Sequence, residues 1–153
     1  MKRIMFVCHG NICRSPMAEL IFKNMLRERG LEDEFYVASS ATSCEELGNP
    51  VYPPARAELA RHGINTDGKY SVQLTRANYN EYDLLIPMDS MNVRNMMKII
   101  GSDPEGKVKK LMDYTPRGGD VADPWFTGEF GITYRDIYEG CTCLLDELTK
   151  KDC

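Results

Sequence analysis

Mostly apolar runs alternate along the chain with segments in which apolar residues recur at helical spacing. Four runs predict strands, at residues 3–7, 34–39, 83–88 and 108–112. The run at 83–88 is continuously apolar after its first residue, which is typical of a parallel strand buried on both faces. Because the predicted strands alternate with predicted helices, the pattern indicates an α/β fold with a parallel sheet covered on both sides.

Turn and capping residues mark the predicted ends of the first two helices. The first helix is predicted to begin with Ser15 as its N-cap and Pro16 in its first turn, and to stop at Gly30. The second follows Pro53-Pro54 and covers residues 55–62. Both helices are expected to pack on the sheet through their apolar residues.

The rest of the chain predicts two further long helices and two irregular segments. Residues 89–100 form a predicted helix closed by Gly101, and the last helix is predicted to begin at a capping box, Thr133–Asp136. The turn-rich segment 40–52 is either a functional loop or a long connection, and 70–81 predicts a loop with a short helix. The apolar face of the last helix comprises Ile137, Cys141, Leu144, Leu145 and Leu148.

Composition and charge narrow the classes of function. The 153 residues amount to 17.4 kDa, which predicts one domain spanning 1–153. A net charge of -4 and a pI near 5.2 argue against a nucleic-acid-binding protein, which normally carries a basic face. The apolar stretch that follows residues 1–3 is too short for a signal peptide or a membrane span, so we expect a cytoplasmic location and no membrane association.

The cysteine and histidine positions bear on disulfides and metals. Six cysteines allow a disulfide framework, but the chain is large enough to fold without one and shows no secretion signal. Neither Cys8 with Cys13 nor Cys141 with Cys143 has C-x-x-C spacing, and the two histidines are not at ligand spacing. We therefore expect reduced thiols, no metal and no cofactor, with Cys153 in a frayed terminus.

The strongest chemical signal lies between the first predicted strand and the first predicted helix. The apolar run ends at Cys8, a short loop carries Gly10 and Asn11, and the helix starts next to Arg14 at Ser15-Pro16. A strand, a phosphate-sized loop and a helix N-terminus form an anion-binding cradle. Asn11 tolerates the left-handed backbone that a tight loop requires. The segment therefore predicts chemistry on a phosphate group.

Cys8 and Arg14 supply complementary parts of that chemistry. Inward-facing backbone amides, a helix N-terminus and a nearby guanidinium all favour a thiolate at Cys8, which can attack phosphorus. Arg14 can hold two phosphate oxygens through paired hydrogen bonds. The Ser15 hydroxyl is placed to hydrogen-bond the Cys8 sulfur, both as nucleophile and as leaving group. The alternative is that Cys8 is only a buried thiol at the end of a strand.

Departure of an alcohol or phenol from phosphorus needs a proton donor, and Asp123 is the best candidate. It precedes Pro124, Trp125 and Phe126 in a loop otherwise rich in Gly and Asp, and the aromatics are predicted to form a wall against a phenyl ring. The alternative is a turn-forming Asp-Pro followed by two core-packing aromatics. Asp120 is the spare candidate for the acid.

The chain resembles the low-molecular-weight protein tyrosine phosphatases in two places, at residues 7–16 (VCHGNICRSP) and at the distant Asp123-Pro124. The resemblance runs nearly end to end and also includes residues 39–42, Gly48-Asn49-Pro50, and Met88-Asp89 with Asn92. It implies a three-layer sandwich of flavodoxin-like or phosphotyrosine phosphatase I-like type, with a four-stranded parallel sheet in the order 2-1-3-4. It also implies hydrolysis of phosphotyrosine and small aryl phosphates through a phosphocysteine.

The resemblance assigns roles to the matching residues. Cys8 becomes the phosphocysteine, Arg14 binds the phosphoryl group, and Asp123 protonates the leaving oxygen and then activates water. The phosphate-binding loop comprises His9, Gly10, Asn11, Ile12, Cys13, Arg14 and Ser15, and the residues that support its shape are Asn11, Ser15 and Ser39.

The same resemblance implies a redox role and a set of partners. Cys13 is expected to form a reversible disulfide with Cys8 that shields the nucleophile, the alternative being a packing cysteine at the helix start. His9 either adds positive field near the thiolate or faces solvent. The expected partners are a phosphotyrosine-containing protein or peptide, and phosphate or other oxyanions as product or inhibitors. We expect a monomer or weak self-association, and no nucleic acid.

Departures from the family pattern affect the loop support and the entrance. Lys69 stands near the place of a histidine that often supports the Asn11 network, so that network is expected to be rebuilt. Cys44-Glu45-Glu46 lies in a loop at the rim of the predicted phosphate site, where many family members carry an aromatic residue. The two glutamates predict an acidic entrance to that site. The predicted substrate wall comprises Glu45, Trp125 and Phe126, and these two aromatics replace tyrosines that are phosphorylated in some relatives.

Four other functions fit parts of the same pattern. Thioredoxin-coupled arsenate reductases share the Cys-x5-Arg loop but need two further cysteines after the third strand, and residues 89–101 contain none. Protein-arginine phosphatases of the same family carry a threonine at the place of Ile12, whose bulky apolar side chain favours an aryl phosphate. A non-catalytic phosphate-binding or redox-sensing module would not need Asp123. A phosphocysteine carrier of the sugar-transport type would not require Arg14.

Overall fold

A computed structural model describes residues 1–150, and the prediction for Cys153 falls outside them. Three strands form the sheet: β1 (Lys2–Cys8), β2 (Phe35–Ala41) and β3 (Leu84–Pro87). Six α-helices accompany them: α1 (Arg14–Glu28), α2 (Pro53–Arg61), α3 (Asn78–Glu81), α4 (Ser90–Ile100), α5 (Pro124–Thr127) and α6 (Phe130–Thr149). Two short 3-10 turns cover Glu32–Glu34 and Leu111–Tyr114.

The sheet is parallel, with the strand order β2-β1-β3. The central strand β1 runs beside β2 from Lys2 to Cys8 and beside β3 from Ile4 to Val7. Its last residue, Cys8, pairs with Ala41, the last residue of β2. The carboxyl end of the central strand is therefore the place where the phosphate loop begins, as the sequence predicts. The α/β fold with a parallel sheet is confirmed.

The predicted fourth strand at residues 108–112 is reduced to a single bridge. Val108 lies beside Leu85 of β3, in the position that the order 2-1-3-4 requires, but the ladder does not continue. The Asp103 carboxylate accepts hydrogen bonds from the backbone N–H groups of Lys107 and Val108, at 2.7 and 3.1 Å. Those amides are turned towards a side chain, and the chain then enters a 3-10 turn at Leu111.

Two apolar layers cover the sheet. On one face, Ile4 and Phe6 of β1 belong to a core that includes residues of α1, α2 and α6. On the other face, Met5 and Val7 pack in a smaller cluster with residues of α3 and α4. Because side chains alternate along a strand, β1 contributes to both layers, and the three-layer arrangement follows.

Two predicted helix starts are wrong. Helix α1 begins at Arg14 with Cys13 at its N-cap position and no side-chain cap, so Ser15 is not the cap. The Ser15 hydroxyl instead contacts the Cys8 sulfur and the Asn11 amide. Helix α6 begins at Phe130 rather than at the predicted capping box, because the backbone N–H of Thr133 already donates to the Glu129 carbonyl and its hydroxyl donates to the same oxygen. The remaining helix predictions agree with the structure within a few residues.

Gly140 allows α6 to approach the 3-10 turn closely. A Cβ atom at this position would lie 2.6 Å from Leu111 Cγ, and Leu111 is fully buried. We expect Gly140→Ala to lower the free energy of unfolding by about 1–3 kcal/mol, because the added methyl overpacks the core. Urea denaturation followed by circular dichroism measures the change.

Gly131 gives a matched control in the same helix. A Cβ atom added to Gly131 would have Glu58 Oε1 as its nearest neighbour, at 3.7 Å, which is an ordinary van der Waals contact. We expect Gly131→Ala to be neutral or to stabilise by up to about 1 kcal/mol, because alanine loses less backbone entropy than glycine. Equal loss of stability in both variants would contradict the packing argument.

Candidate active site

The loop that joins β1 to α1 wraps around the sulfur of Cys8. Backbone N–H groups of Asn11 and Ser15 point at Cys8 Sγ from 3.3 and 3.4 Å. The Ser15 hydroxyl lies 2.9 Å from the same sulfur. Asn11 adopts φ 57°, and within residues 1–150 no other non-glycine residue has a positive φ. This left-handed residue turns the loop so that its amides face inward, as the sequence predicts.

Buried side chains hold the loop from behind. The Asn11 side-chain amide donates to Ser15 Oγ at 2.7 Å and to Ser39 Oγ at 2.9 Å. Asn11 Oδ1 accepts from the backbone N–H of Val72 at 3.1 Å. The Ser71 hydroxyl donates to the Gly10 carbonyl at 2.8 Å. The predicted support residues are thus brought together, and the segment after Tyr70 adds contacts that the sequence did not indicate.

Arg14 is 2% exposed and points across the loop. Its guanidinium donates to Asp89 at 2.6 Å and to the Val121 carbonyl at 2.8 Å, and approaches Asp123 Oδ2 at 3.4 Å. Burial lowers the pKa of Arg14, but the negative charges of Cys8, Asp89 and Asp123 outweigh it and raise the pKa overall. Arg14 is therefore a permanent cation, held by two separate segments, one at Asp89 and one at 121–123.

Asp123 lies at the start of α5, where it serves as the N-cap. Its Oδ1 accepts from the Trp125 backbone N–H at 3.0 Å, and Pro124 occupies the first helical turn. Its other oxygen, Oδ2, is the one near Arg14. Asp120, the spare candidate, instead accepts from Lys110 Nζ at 2.9 Å and does not line the pocket. The structure therefore favours Asp123 as the acid.

A pocket of about 190 Å³ opens above the loop. Trp125 and Phe126 line it while remaining 52% and 84% exposed, so they are not core-packing residues. The Trp125 ring lies 4.8 Å from the ring of Tyr52, which supports it from the side. The lining comprises Cys8, His9, Gly10, Ile12, Cys13, Arg14, Glu45, Glu46, Asp123, Trp125 and Phe126.

The opposite rim of the pocket is acidic. Glu45 and Glu46 both line it, so the segment 40–52 contributes to the site and is more than a connection. His9 Nε2 lies 3.4 Å from Glu45, and Glu46 accepts from the Asn49 side-chain amide at 2.6 Å. His9 is half exposed and paired with a rim carboxylate, and no hydrogen bond joins it to the sulfur.

Cys13 lines the pocket close to Cys8 in the loop. Both thiols are buried and free, and residues 1–150 contain no disulfide. Burial, together with the negative charges of Cys8 and Asp123, raises the pKa of Cys13 to about 12. Cys13 is therefore a neutral thiol at physiological pH. The reversible Cys8–Cys13 disulfide stays a prediction.

Several contacts of the site join residues that are far apart in the sequence. Asp89 and the Val121 carbonyl hold Arg14 although they are 75 and 107 residues away in sequence. Glu19, 4% exposed on α1, accepts from the Ser39 hydroxyl at 2.6 Å and pairs with Lys69 at 2.9 Å. The signal for Glu19 is its spacing, since it lies one helical turn after Ser15. Lys69 thus reaches the loop-support residue Ser39 through Glu19, and the rebuilding of the network relative to the family stays a prediction.

The described part of the chain contains neither a metal-binding cluster nor a membrane-spanning helix. Across residues 1–150, no three His, Cys, Asp or Glu side chains lie close enough together to hold a metal ion. No helix in the same range is both long enough and apolar enough to cross a bilayer.

Comparison with known proteins gives matches over the whole length. The sequence matches the family model described as "Low molecular weight phosphotyrosine protein phosphatase" over residues 3–153. The low molecular weight protein-tyrosine-phosphatase YfkJ of Bacillus subtilis is 35% identical over 153 residues, covering 99% of this chain and 98% of YfkJ. The crystal structure of YfkJ superposes with a TM-score of 0.93 at 34% identity, covering 99% and 98% of the two chains.

Two further solved structures share the fold. SP-PTP, a low molecular weight protein tyrosine phosphatase from Streptococcus pyogenes, has a TM-score of 0.89 and 38% identity, covering 99% of this chain and 95% of its own. DARP, the Drosophila arginine phosphatase, has a TM-score of 0.87 and 29% identity, covering 99% of this chain and all of its own. The full-length family match, the identity with YfkJ and the loop geometry agree. The chain belongs to the low-molecular-weight protein tyrosine phosphatase family.

Proposed function

We propose that this protein is a protein tyrosine phosphatase that hydrolyses phosphotyrosine through a phosphocysteine on Cys8. The observation that carries the proposal is the convergence on one sulfur of two backbone N–H groups and the Ser15 hydroxyl, with Arg14 and Asp123 in the same pocket. Such a loop stabilises a sulfur anion and then the oxygens of a transferring phosphoryl group. A purely structural thiol would need none of these groups.

The first chemical step transfers the phosphoryl group to sulfur. The Cys8 thiolate attacks phosphorus, and the S–P bond forms as the bond from phosphorus to the phenolic oxygen breaks. Arg14 and the loop amides bind the equatorial oxygens, whose charge they stabilise. Asp123 gives its proton to the departing oxygen, so that tyrosine leaves as a neutral phenol.

The second step returns the enzyme to its starting state. Asp123, now a carboxylate, accepts a proton from water as the water oxygen attacks phosphorus. The S–P bond breaks, Cys8 leaves as a thiolate, and inorganic phosphate is released. Hydrogen bonds to the sulfur make this departure easier because they stabilise the negative charge that develops there. Both steps balance with phosphate ester and water alone.

The lining of the pocket supports an aryl phosphate as the substrate. Trp125 and Phe126 stand exposed beside Asp123, where a phenyl ring attached to the transferring phosphoryl group would lie. Exposed aromatic side chains contribute binding through apolar area and stacking. Ile12 lines the base of the same pocket and offers no hydrogen bond to a nitrogen-linked phosphate.

A protein-arginine phosphatase is the second candidate, and the acidic rim is the observation that favours it. The guanidinium of a phosphoarginine is attracted to carboxylates such as Glu45 and Glu46. DARP, which has the same fold, is named an arginine phosphatase. We place phosphotyrosine first because the aromatic wall and Ile12 suit a planar phenyl ring.

The same carboxylates bear on the protein partner. A peptide with basic residues beside its phosphotyrosine would meet Glu45 and Glu46 at the entrance, whereas an acidic peptide would be repelled. We therefore propose a phosphotyrosine protein with basic flanking residues as substrate, with phosphate and other oxyanions as product and inhibitors. A cytoplasmic location and a monomeric or weakly associating state stay predictions.

A panel of three phosphopeptides, assayed in EDTA by phosphate release, tests the function. It compares a phosphotyrosine with basic neighbours, one with acidic neighbours, and a phosphoarginine peptide. We expect the basic phosphotyrosine peptide to give the highest kcat/KM, by about tenfold over the acidic one, because like charges at an entrance slow association. Preference for phosphoarginine would support the second candidate. Activity restored only by added metal would contradict the mechanism.

A further inference from the structure

We propose that His9 determines the charge preference of the entrance, because its protonation offsets the negative charge of Glu45. A neutral imidazole leaves an acidic rim that favours basic neighbours of the phosphotyrosine, whereas an imidazolium weakens that preference. His9 is thus a specificity-determining residue whose effect changes between about pH 5 and 8, the range in which a histidine changes charge. The inference rests on the proposed function, since it concerns which phosphotyrosine peptides reach Cys8.

The backbone holds His9 and Glu45 side by side. The rim segment follows β2, and the backbone N–H groups of Thr42 and Ser43 donate to the carbonyls of Cys8 and His9 at 2.9 and 3.0 Å. The phosphate loop and the rim therefore run together at the residue that carries the imidazole. His9 Nε2 lies 3.4 Å from Glu45 Oε2, and the two side chains are 49% and 73% exposed. Both groups are open to protons and to an approaching peptide.

The two rim carboxylates differ in what pairs with them. Glu46 Oε2 accepts from the Asn49 side-chain amide at 2.6 Å, and a Cβ placed at Gly10 would lie 3.4 Å from Glu46 Cγ. An amide is neutral at every pH, so Asn49 does not offset the charge of Glu46. Glu45 instead pairs with an imidazole, which is neutral or positive depending on pH. Protonation of His9 therefore halves the net negative charge of these rim groups.

Other ionisable groups face the same pocket, and their effects have to be separated from that of His9. They come from the phosphate loop and from the start of α5, and they are Cys8, Cys13, Arg14 and Asp123. A change in their charge acts on the phosphoryl group, which is the same in every phosphotyrosine peptide. The ratio of kcat/KM for two peptides that differ only in the neighbouring residues cancels that common effect. The ratio therefore reports the charge of the rim.

The test measures this ratio at low ionic strength at about pH 5.5 and about pH 8, either side of the ordinary histidine titration. One phosphotyrosine peptide has arginine neighbours and the other has aspartate neighbours, which both keep their charge across this range. We expect wild type to prefer the arginine peptide by about tenfold at the higher pH and by about threefold at the lower pH. Halving the rim charge halves the electrostatic free energy, which reduces a ratio of about ten to its square root.

Two substitutions fix the charge at position 9. His9→Gln keeps a hydrogen-bonding side chain that is always neutral, and we expect a preference of about tenfold at both pH values. His9→Lys is positive throughout, and we expect about threefold at both. Glu45→Gln should give about threefold at the higher pH and little preference at the lower one, where His9 offsets Glu46. Each ratio compares two peptides on the same enzyme, so a loss of activity common to both does not alter it.

His62→Gln is the matched control, because His62 is the other of the two histidines in the chain. Its Nε2 lies 3.1 Å from Glu58 Oε2, so it also belongs to a histidine–glutamate pair, but it does not line the pocket. We expect His62→Gln to keep the wild-type ratios at both pH values. In about 1 M salt all the ratios should fall towards one, because exposed charges are screened.

Four results would overturn the inference. They are a wild-type preference that is equal at both pH values, a pH dependence that persists in His9→Gln, a pH dependence that is lost in His62→Gln, and ratios that do not respond to salt. Turnover of both peptides with no charge preference would overturn it together with the basic partner, and would leave the phosphotyrosine phosphatase activity in place. Failure of wild type to hydrolyse either peptide would instead contradict the proposed function.

Discussion

Cys8→Ser is expected to abolish turnover of p-nitrophenyl phosphate, with a fall of at least about 10⁴-fold in kcat. A serine hydroxyl does not ionise near neutral pH, so the same loop amides and Arg14 would surround a neutral oxygen. The sulfur is also the better leaving group in the second step. Release of p-nitrophenol at saturating substrate measures the loss, and a denaturing quench at alkaline pH with radiolabelled substrate shows whether a phosphocysteine forms in wild type alone.

Cys143→Ser is the matched control for the nucleophile. Cys143 lies on α6 and does not line the pocket, so this change removes a thiol without touching the loop. We expect full activity and normal labelling in Cys143→Ser. Cys8→Ser should still bind inorganic phosphate, because Arg14 and the inward amides remain. Turnover by Cys8→Ser, or labelled phosphate on any residue other than Cys8 in wild type, would rule out the mechanism.

The phosphate loop was predictable because its determinants are local. Cys8, Gly10, Asn11 and Arg14 lie within seven residues, and a strand and a helix flank them at the required places. Among the non-glycine residues of 1–150, the left-handed backbone occurs only at Asn11, a residue type that tolerates it well. The Ser15 hydroxyl lies at the Cys8 sulfur as predicted, although the predicted role of Ser15 as a helix cap was wrong. The spacing of these residues was therefore enough to predict the phosphate loop.

The charged contacts behind the loop were not predictable, because they join distant segments. The sequence places Asp89 directly after the third predicted strand and within the family pattern, but it does not indicate that this carboxylate will pair with a guanidinium 75 residues earlier. Glu19 is buried and pairs with Lys23 on its own helix, but its second cation, Lys69, comes from a separate loop that the helical spacing does not reveal. Buried charges are stable only in pairs or networks, and pairs of this kind form after the fold has brought their members together.

The missing fourth strand has a similar cause. Residues 107–112 have the composition of a short edge strand, with Val108 and Leu111 facing the core. The bridge consists of two hydrogen bonds, from Leu85 N–H to the Lys107 carbonyl and from Lys109 N–H to the Leu85 carbonyl. The next donor on β3 would be the N–H of residue 87, but that residue is proline, so the ladder cannot continue. The predicted order 2-1-3-4 still describes where residues 107–112 lie, because the single bridge between Val108 and Leu85 places them beside β3.

Asp123→Asn is expected to lower kcat/KM by an amount that depends on the leaving group. General acid catalysis contributes about 10²–10⁴-fold, and the full loss should appear with phenyl phosphate or a phosphotyrosine peptide. The loss should be much smaller with p-nitrophenyl phosphate, whose anion leaves without a proton. Asparagine still accepts the Trp125 N–H, so the cap of α5 is kept while the transferable proton is removed. Initial rates across a series of aryl phosphates measure the dependence.

The leaving-group series separates proton donation from the second contact of Asp123. Its Oδ2 lies 3.4 Å from Arg14, so a change at this position also alters the charge around the guanidinium. If loss of that ion pair were the main effect of Asp123→Asn, kcat/KM would fall by the same factor for every substrate. Arg14 binds the phosphoryl group whatever the leaving group is. Asp120→Asn, which removes an exposed carboxylate paired with Lys110, should leave the whole series unchanged. Only a loss that grows with the basicity of the leaving oxygen assigns the proton to Asp123.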